Sequence, residues 1–381
     1  QVLESMLEDL KDSGTQETYE KYSLRLIDPI LEMMSNGMKV DTVKLKNIRK
    51  QLEKERDETE KKIYDYLNLP SSFNFGSVDD MRYLLYGDEP PKFDKIRAER
   101  AKYEESKKLR RDTKKYKALL EGEKLLKVEP LAETSAQVAE TDKGGKATDE
   151  KQLNRLDIAA NNRLVEISNL VRRTKNHDKE VEKLETLRKF LKDHRHVKKV
   201  GTLLSTFTEF PLASDGRIHT RYKIHGTATG RLSSSEVNLQ NIPKDDLGLS
   251  KDSQIRSAFC AEDGWMLIQG DYSNLELRIL AVVCGDEGMR EVFRKGLNMH
   301  DQNAKILFNI DETHPQWKLA RSAAKTYIFG RNYGGGLKGI YERVMAQVPE
   351  FTLTYSQFCK ADARYRESFP GYSKWRDKVI D

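Results

Sequence analysis

Between residues 19 and 66 apolar side chains recur at helical spacing. Leu24, Ile27, Ile30, Leu31 and Met34 form one stripe, the pattern of a helix that buries one face. The stretch NGMKVD interrupts it as a turn, and VKLKNIRKQLEKERDETEKKIYDYL resumes it. PSSFNFGSVDDMRYLLYGDEPP reads as a loop, a capped short helix and a stop at Pro90 and Pro91. Residues 96–127 predict a long basic helix or hairpin. Residues 131–150, with TDKGGKATDE, predict a polar, mobile tip. Helix returns over 151–199. From about Gly201 the period shortens, and GRIHTRYKI and GWMLIQGDY read as strands among turn residues. Helices follow at 274–283, 287–295, 301–308, 316–333, 337–345 and 355–380. No internal repeat is visible. The pattern predicts an α+β chain in three lobes: a helical arm (1–200), a mixed centre (201–300) and a helical lobe (301–381).

Composition supports several lobes rather than one core: 381 residues, 37% hydrophobic and 34% charged. No apolar run reaches membrane-spanning length, and no signal peptide pattern stands at the start. The first residue is Gln1, which reads as the start of a processed product or an excised fragment. Cys260, Cys284 and Cys359 lack metal-ligand spacing and read as reduced thiols of an intracellular protein. The net charge of +6 is unevenly spread. Residues 95–127 carry thirteen Lys/Arg against six Asp/Glu, and 172–199 carry eleven against five. Basic arms on an acidic remainder suit a polyanion partner and a metal-binding centre. Solvated helix faces would produce the same runs.

Three segments carry candidate chemistry. WMLIQGDYSNLELRIL predicts an apolar strand that ends at Asp271 and turns into a helix near Ser273. A carboxylate at the exit of a buried strand suits a divalent metal with oxygen ligands. Helix capping is the commoner use of Asp and Ser there. HGTATGRLSSSEVNLQNIP offers Arg231, Ser233, Ser234, Asn238, Gln240 and Asn241, the hydroxyls, amides and cation that phosphates and groove acceptors require. A self-bonded surface loop has the same composition. RSAAKTYIFGRNYGGG places Arg321, Lys325, Phe329 and Tyr333 four residues apart, on one helix face. Two cations could neutralise a polyphosphate, and two rings could stack on a base or sugar. Aromatics at this spacing more often face a core, but cations on the same face count against a plain core face. Gly330, in mid-helix, costs about 1 kcal/mol relative to Ala, which implies close approach of another group.

In order along the chain, these segments resemble DNA polymerase family A, the DNA polymerase I type. DYSNLELRIL is similar to that family's motif A and RSAAKTYIFGRNYGG to its motif B. TATGRLSSSEVNLQNIP is similar to its primer–template segment. GLNMHDQNA is similar to the segment that brings a His toward the nucleotide. PILEMMSNGMKVD and FNFGSVDDMRYLLYG are similar to the start of its thumb. The resemblance runs from about Tyr19 to the end. It implies an α+β right-hand architecture with an incomplete palm: 1–18 the end of a preceding exonuclease-like region or linker, 19–200 the thumb and connecting helices, 201–300 the palm with motif A, and 301–381 the fingers with the motif B helix.

The resemblance also implies roles. Asp271 and the carbonyl of Tyr272 would ligate two Mg2+ ions. Glu276 would crowd a ribose 2′-OH, making dNTP the substrate. Arg321, Lys325 and His300 would meet the triphosphate, with Lys325 also the general acid. Phe329 would pack on the sugar and Tyr333 near the templating base. Arg231, Gln240, Asn241 and Lys199 would contact primer–template DNA. The family carries a second metal-binding Asp in a His-Asp-Glu motif downstream of motif B, and none is found over 333–381. The expectation is a DNA polymerase portion, nearly inactive alone, working with a palm segment supplied by a second polypeptide or lost by excision. A non-catalytic primer–template binder is the alternative; a single-subunit RNA polymerase shares the Arg–Lys–Tyr-Gly helix, but Glu276 and the ELR context argue against it. A bacterial or phage-infected cytoplasm is the expected setting, an organelle a second one.

Overall fold

The structure is a computed structural model. It describes residues 2–90, 92–106, 117, 120, 121, 124, 128–132, 147–170, 174–243, 253–348, 351 and 353–380. Most of the basic run over 107–127 and of the polar segment over 133–146 lies outside the described residues. In chain order the main elements are α1 (Val2–Asp12), α2 (Leu24–Asn36), β1 (Met38–Lys39), α3 (Thr42–Tyr66), α4 (Val78–Tyr86), α5 (Lys92–Ser106), α6 (Glu150–Ser168) and α7 (Lys175–Phe207). Then come β2 (Arg217–Ile218), β3 (Arg221–Lys223), β4 (Ser233–Ser235), α8 (Leu275–Val283), α9 (Glu287–Arg294), α10 (Met299–Phe308), α11 (Trp317–Asn332), α12 (Leu337–Gln347), α13 (Tyr355–Ser368) and α14 (Pro370–Ile380).

Local chemistry explains many of the boundaries. Short polar side chains accept the orphan amides of first turns: Ser77 for α4, Asp149 for α6, Asp286 for α9 and Asn298 for α10. Thr354 and Gln357 form a capping box at α13. Gly87, at φ 75°, ends α4.

The chain divides into two compact units. The first comprises 1–62 and 194–269. Its core is built from α3 and α7, with Leu45, Ile48 and Leu52 against Val200, Leu203, Leu204 and Phe207, closed by Val40, Ile218 and Ile255. Antiparallel β1 and β2 pair Met38 with Ile218 and Lys39 with Arg217. Antiparallel β3 and β4 pair Tyr222 with Ser234. The second unit comprises 63–193 and 270–381. Helices α8 to α14 enclose a core of Leu277, Met289, Met299, Leu307, Tyr327, Ile328, Ile340, Val344, Phe358, Tyr365 and Tyr372. Rings meet edge-on there, Tyr327 with Phe358 at 5.6 Å and with Tyr365 at 5.4 Å.

Three expectations need correction. GRIHTRYKI does form strands, but GWMLIQGDY does not: residues 265–272 have no regular secondary structure and join no ladder among the described residues. Trp265, Met266, Leu267 and Ile268 are 80, 79, 55 and 87% exposed. A strand exists only through its partners, and an apolar run buried on both faces needs covering layers as well. The helix expected over 151–199 is two, α6 and α7, and the second runs on to Phe207. The helix expected over 355–380 breaks before Pro370, which begins α14, because a residue ahead of proline is pushed out of helical geometry.

Candidate active site

On α11 the buried residues are Ala320, Ala323, Ala324, Thr326, Tyr327, Ile328, Gly330 and Arg331. Arg321 and Phe329 are half-buried, while Lys325 and Tyr333 are exposed. The four-residue spacing thus puts the chemistry on the open face and small or packed side chains behind it. Three of the expected residues meet a fourth from α10. The His300 ring lies 6.0 Å from the Phe329 ring, and Lys325 Nζ lies 6.0 Å from the centre of the same ring. Asn298 caps α10 and fixes His300 through its backbone amide at 2.9 Å. Burial, and then the charges of Lys325 and Arg321, lower the His300 pKa to about 4, so the imidazole is neutral near pH 7. Its Nδ1 is buried with no hydrogen-bond partner.

Arg321 is not simply open. Its Nε donates to Asp301 Oδ1 in a half-exposed ion pair, and an incoming anion would compete for it. The sequence reading missed Asp301. Its place beside His300 in the first turn of α10, one helix over from Arg321, was the available signal. Tyr333 caps α11, is 67% exposed, and precedes Gly334 at φ 75°. The close approach expected at Gly330 is real. A Cβ there would stand 2.8 Å from Ile340 Cγ1 of α12, and one at Gly335 would stand 2.7 Å from the Gly330 carbonyl.

Asp271 and Tyr272 are exposed and lie just ahead of α8. Asn274, in left-handed geometry at φ 55°, turns the chain into that helix, and Arg278 Nε donates to the Ser273 carbonyl at 3.0 Å. Glu276 is half-buried in the first turn of α8. An exposed carboxylate next to the backbone carbonyl of an exposed residue suits a hard divalent cation. Yet the described residues gather no group of three His, Cys, Asp or Glu that could hold a metal. Among the described residues, Asp271 and Tyr272 do not by themselves fit a pair of ions.

The other expected DNA contacts lie in the first unit. Gln240 is engaged within its own loop: its Nε2 donates to the Leu232 carbonyl at 3.1 Å and its Oε1 accepts from Ser234 Oγ at 2.8 Å. Arg231 is exposed at the end of the preceding turn, and Asn241 is exposed at the end of the turn Leu239–Asn241. Lys199 is exposed on α7. Gly226 was not singled out in the sequence, yet a Cβ there would overlap Ser233 Oγ at 1.9 Å.

The family model for DNA polymerase family A matches residues 126–381. The chain belongs to DNA polymerase family A. Among curated relatives, the thermostable DNA polymerase I of Thermus aquaticus is 40% identical over 167 residues, 44% of this chain and 19% of that protein. DNA polymerase I of Chloroflexus aurantiacus is 45% identical over 129 residues, 34% of this chain and 13% of that protein. The matched stretch is thus about a fifth or less of these family A relatives. Among solved structures, the polymerase domain of Pol1 from M. smegmatis, in complex with DNA primer-template and dNTP, superposes with a TM-score of 0.58 at 22% identity. It covers 98% of this chain and 51% of that one. The fold is therefore the α+β polymerase fold expected from the sequence.

Proposed function

We propose that this family A chain carries out DNA-templated DNA synthesis, joining a dNTP to a primer 3′-OH, together with the palm segment that completes its metal site. The observation that carries this reading is the cluster on α11 and α10: Arg321, Lys325, Phe329 and His300 within one patch of the second unit. Cations meet the triphosphate of a dNTP, a neutral imidazole donates to one of its oxygens, and the ring of Phe329 packs on the sugar. Lys325 holds a proton at Nζ for the departing pyrophosphate. Glu276 limits the space at the sugar 2′ position, and Tyr333 lies toward the templating base. Arg231, Gln240, Asn241 and Lys199 contact primer–template DNA. Residues 1–18 belong to a preceding region or linker, 19–200 to the thumb, 201–300 to the palm and 301–381 to the fingers.

Asp271 and the Tyr272 carbonyl are this chain's share of a two-Mg2+ site, and the second carboxylate comes from the remaining palm, on this or another polypeptide. Such ions supply charge stabilisation for phosphoryl transfer when bound. The exposed run Trp265 to Ile268 supports a missing layer, since four consecutive exposed apolar residues call for a cover. The test mixes this chain with a polypeptide bearing the family's His-Asp-Glu palm segment and follows primer extension with Mg2+ and dNTPs. Extension by the mixture, abolished by Asp271→Asn, is expected. Extension that survives Asp271→Asn would overturn the metal assignment. DNA binding without extension would leave a non-catalytic primer–template binder.

A further inference from the structure

The face of α11 that points away from Lys325 and Phe329 carries a buried polar network that no step above uses. Tyr327 Oη donates to Asp362 Oδ1 of α13 at 2.6 Å. Arg331, one turn on, places Nε 3.2 Å from the same oxygen. Both charged residues are only 7% exposed. The Arg331 contact is an ion pair without hydrogen-bond alignment, for its Nε has no hydrogen-bond partner. Helix α14 grips the same turn: Arg376 Nε donates to the Arg331 carbonyl at 3.3 Å, and Tyr372 Oη donates to Asn332 Oδ1 at 2.9 Å. The Tyr372 amide in turn donates to Asp286 Oδ2 at 3.0 Å, and the other oxygen of Asp286 caps α9.

Two physical points give this network a job. A buried ion pair is weak evidence for stability, since desolvation offsets much of the attraction. What the network does supply is direction, through the aligned Tyr327–Asp362 hydrogen bond, because a buried polar group that loses its partner costs far more than a misaligned methyl group. The network adds direction to a helix whose second half already packs through Tyr327, Ile328 and Gly330, and whose first half has less to hold it. The buried surface of its first half is Ala320, Ala323 and Ala324, and small side chains offer few knobs to resist sliding or rotation. Residues 327 and 331 are two places further along the helix than 325 and 329, so the two pairs lie on nearly opposite faces. Fixing one pair fixes the azimuth of the other.

We propose that Asp362, through Arg331 and Tyr327, is a positioning residue that sets the rotation and register of α11. It thereby sets the placement of Arg321, Lys325 and Phe329 for the dNTP. The link to dNTP rests on the polymerase reading above; the link to α11 does not. Three variants test it: Asp362→Asn, Tyr327→Phe, and the double variant Arg331→Met with Asp362→Asn, which removes both charges and keeps an acceptor for Tyr327. Hydrogen exchange of the amides over 326–333 is read in the chain alone, beside the urea midpoint. The KM for dNTP is read in the primer-extension mixture.

Asp362→Asn should speed exchange over 326–333 by at least about tenfold and raise KM more than it lowers kcat. Tyr327→Phe, which keeps the ion pair, should do the same to a smaller degree. The double variant should recover the parent's urea midpoint but keep the fast exchange and raised KM. A double variant with the parent's midpoint, exchange and KM would make the pair merely structural and sink the proposal. So would parental exchange in Asp362→Asn. If the parent mixture does not extend primers, the polymerase reading fails, and exchange over 326–333 still decides the role of Asp362.

Discussion

At the scale of single residues, glycine gives the sharpest test of the packing. Gly330 lies under Ile340, where a Cβ would stand 2.8 Å from Cγ1, whereas Gly339 in α12 has nothing within 4 Å. Alanine gains about 1 kcal/mol over glycine in a helix interior, and overpacking costs about 1–3 kcal/mol. The two substitutions should therefore differ in sign. Gly330→Ala should destabilise by about 1 kcal/mol, the overpacking cost exceeding the helix gain, and Gly339→Ala should stabilise by about as much. Urea unfolding of both variants checks this, and a stabilising Gly330→Ala would mean that α11 and α12 do not touch there. Gly330 was legible because a glycine in mid-helix is costly and so calls for a reason. Asp362 was not legible, because an acidic residue on an amphipathic helix looks solvated until the fold buries it beside Arg331. Gly226 escaped notice for a related cause: in a glycine-punctuated loop, nothing local separates a glycine that spaces from one that makes room for Ser233.

Elements followed the sequence where periodicity was strong, as in α3, α8, α10 and α11, and in α2 as a helix, though of its apolar stripe only Ile30 is buried and Leu24, Ile27 and Leu31 are exposed; they failed where partners decide. Residues 265–271 have the composition of a buried strand, but pairing is a property of the neighbouring chain, which no pattern within the run encodes. Within α7, burial also sets chemistry. His194 is 2% exposed, and burial, with Lys198 and Arg195 adding to it, lowers its pKa to about 4. The pKa is depressed on folding, so the neutral form is the folded form. The stability it contributes is present above the unfolded value of about 6.5 and is lost as pH falls through 4. Between pH 7 and pH 5 the loss should be about 2 kcal/mol. Denaturant unfolding at the two pH values should show this slope, and His194→Gln should flatten it. An equal slope in the variant would place the acid sensitivity elsewhere, with His300 the next group to examine.

For the molecule as a whole, the ordered motifs made the family legible over a span that composition could not address. The three-lobe expectation came from changes in texture, while compaction follows contacts: α3 and α7 each contribute residues to both compact units. The basic runs promised a polyanion partner, which the proposed function takes to be primer–template DNA. The stretch that failed as a strand also has an optical use. Of the three tryptophans, Trp317 and Trp375 pack against the core of the second unit, whereas Trp265 is 80% exposed. An indole in water emits further to the red than one in an apolar setting, so Trp265 is a built-in reporter of whatever covers it. Adding the palm polypeptide should shift the chain's emission to the blue, and Trp265→Tyr should remove that shift while leaving the emission of the other two. A mixture that extends primers with no shift would show that the run stays wet in the working enzyme. A shift that saturates would count the assembled molecules without any label.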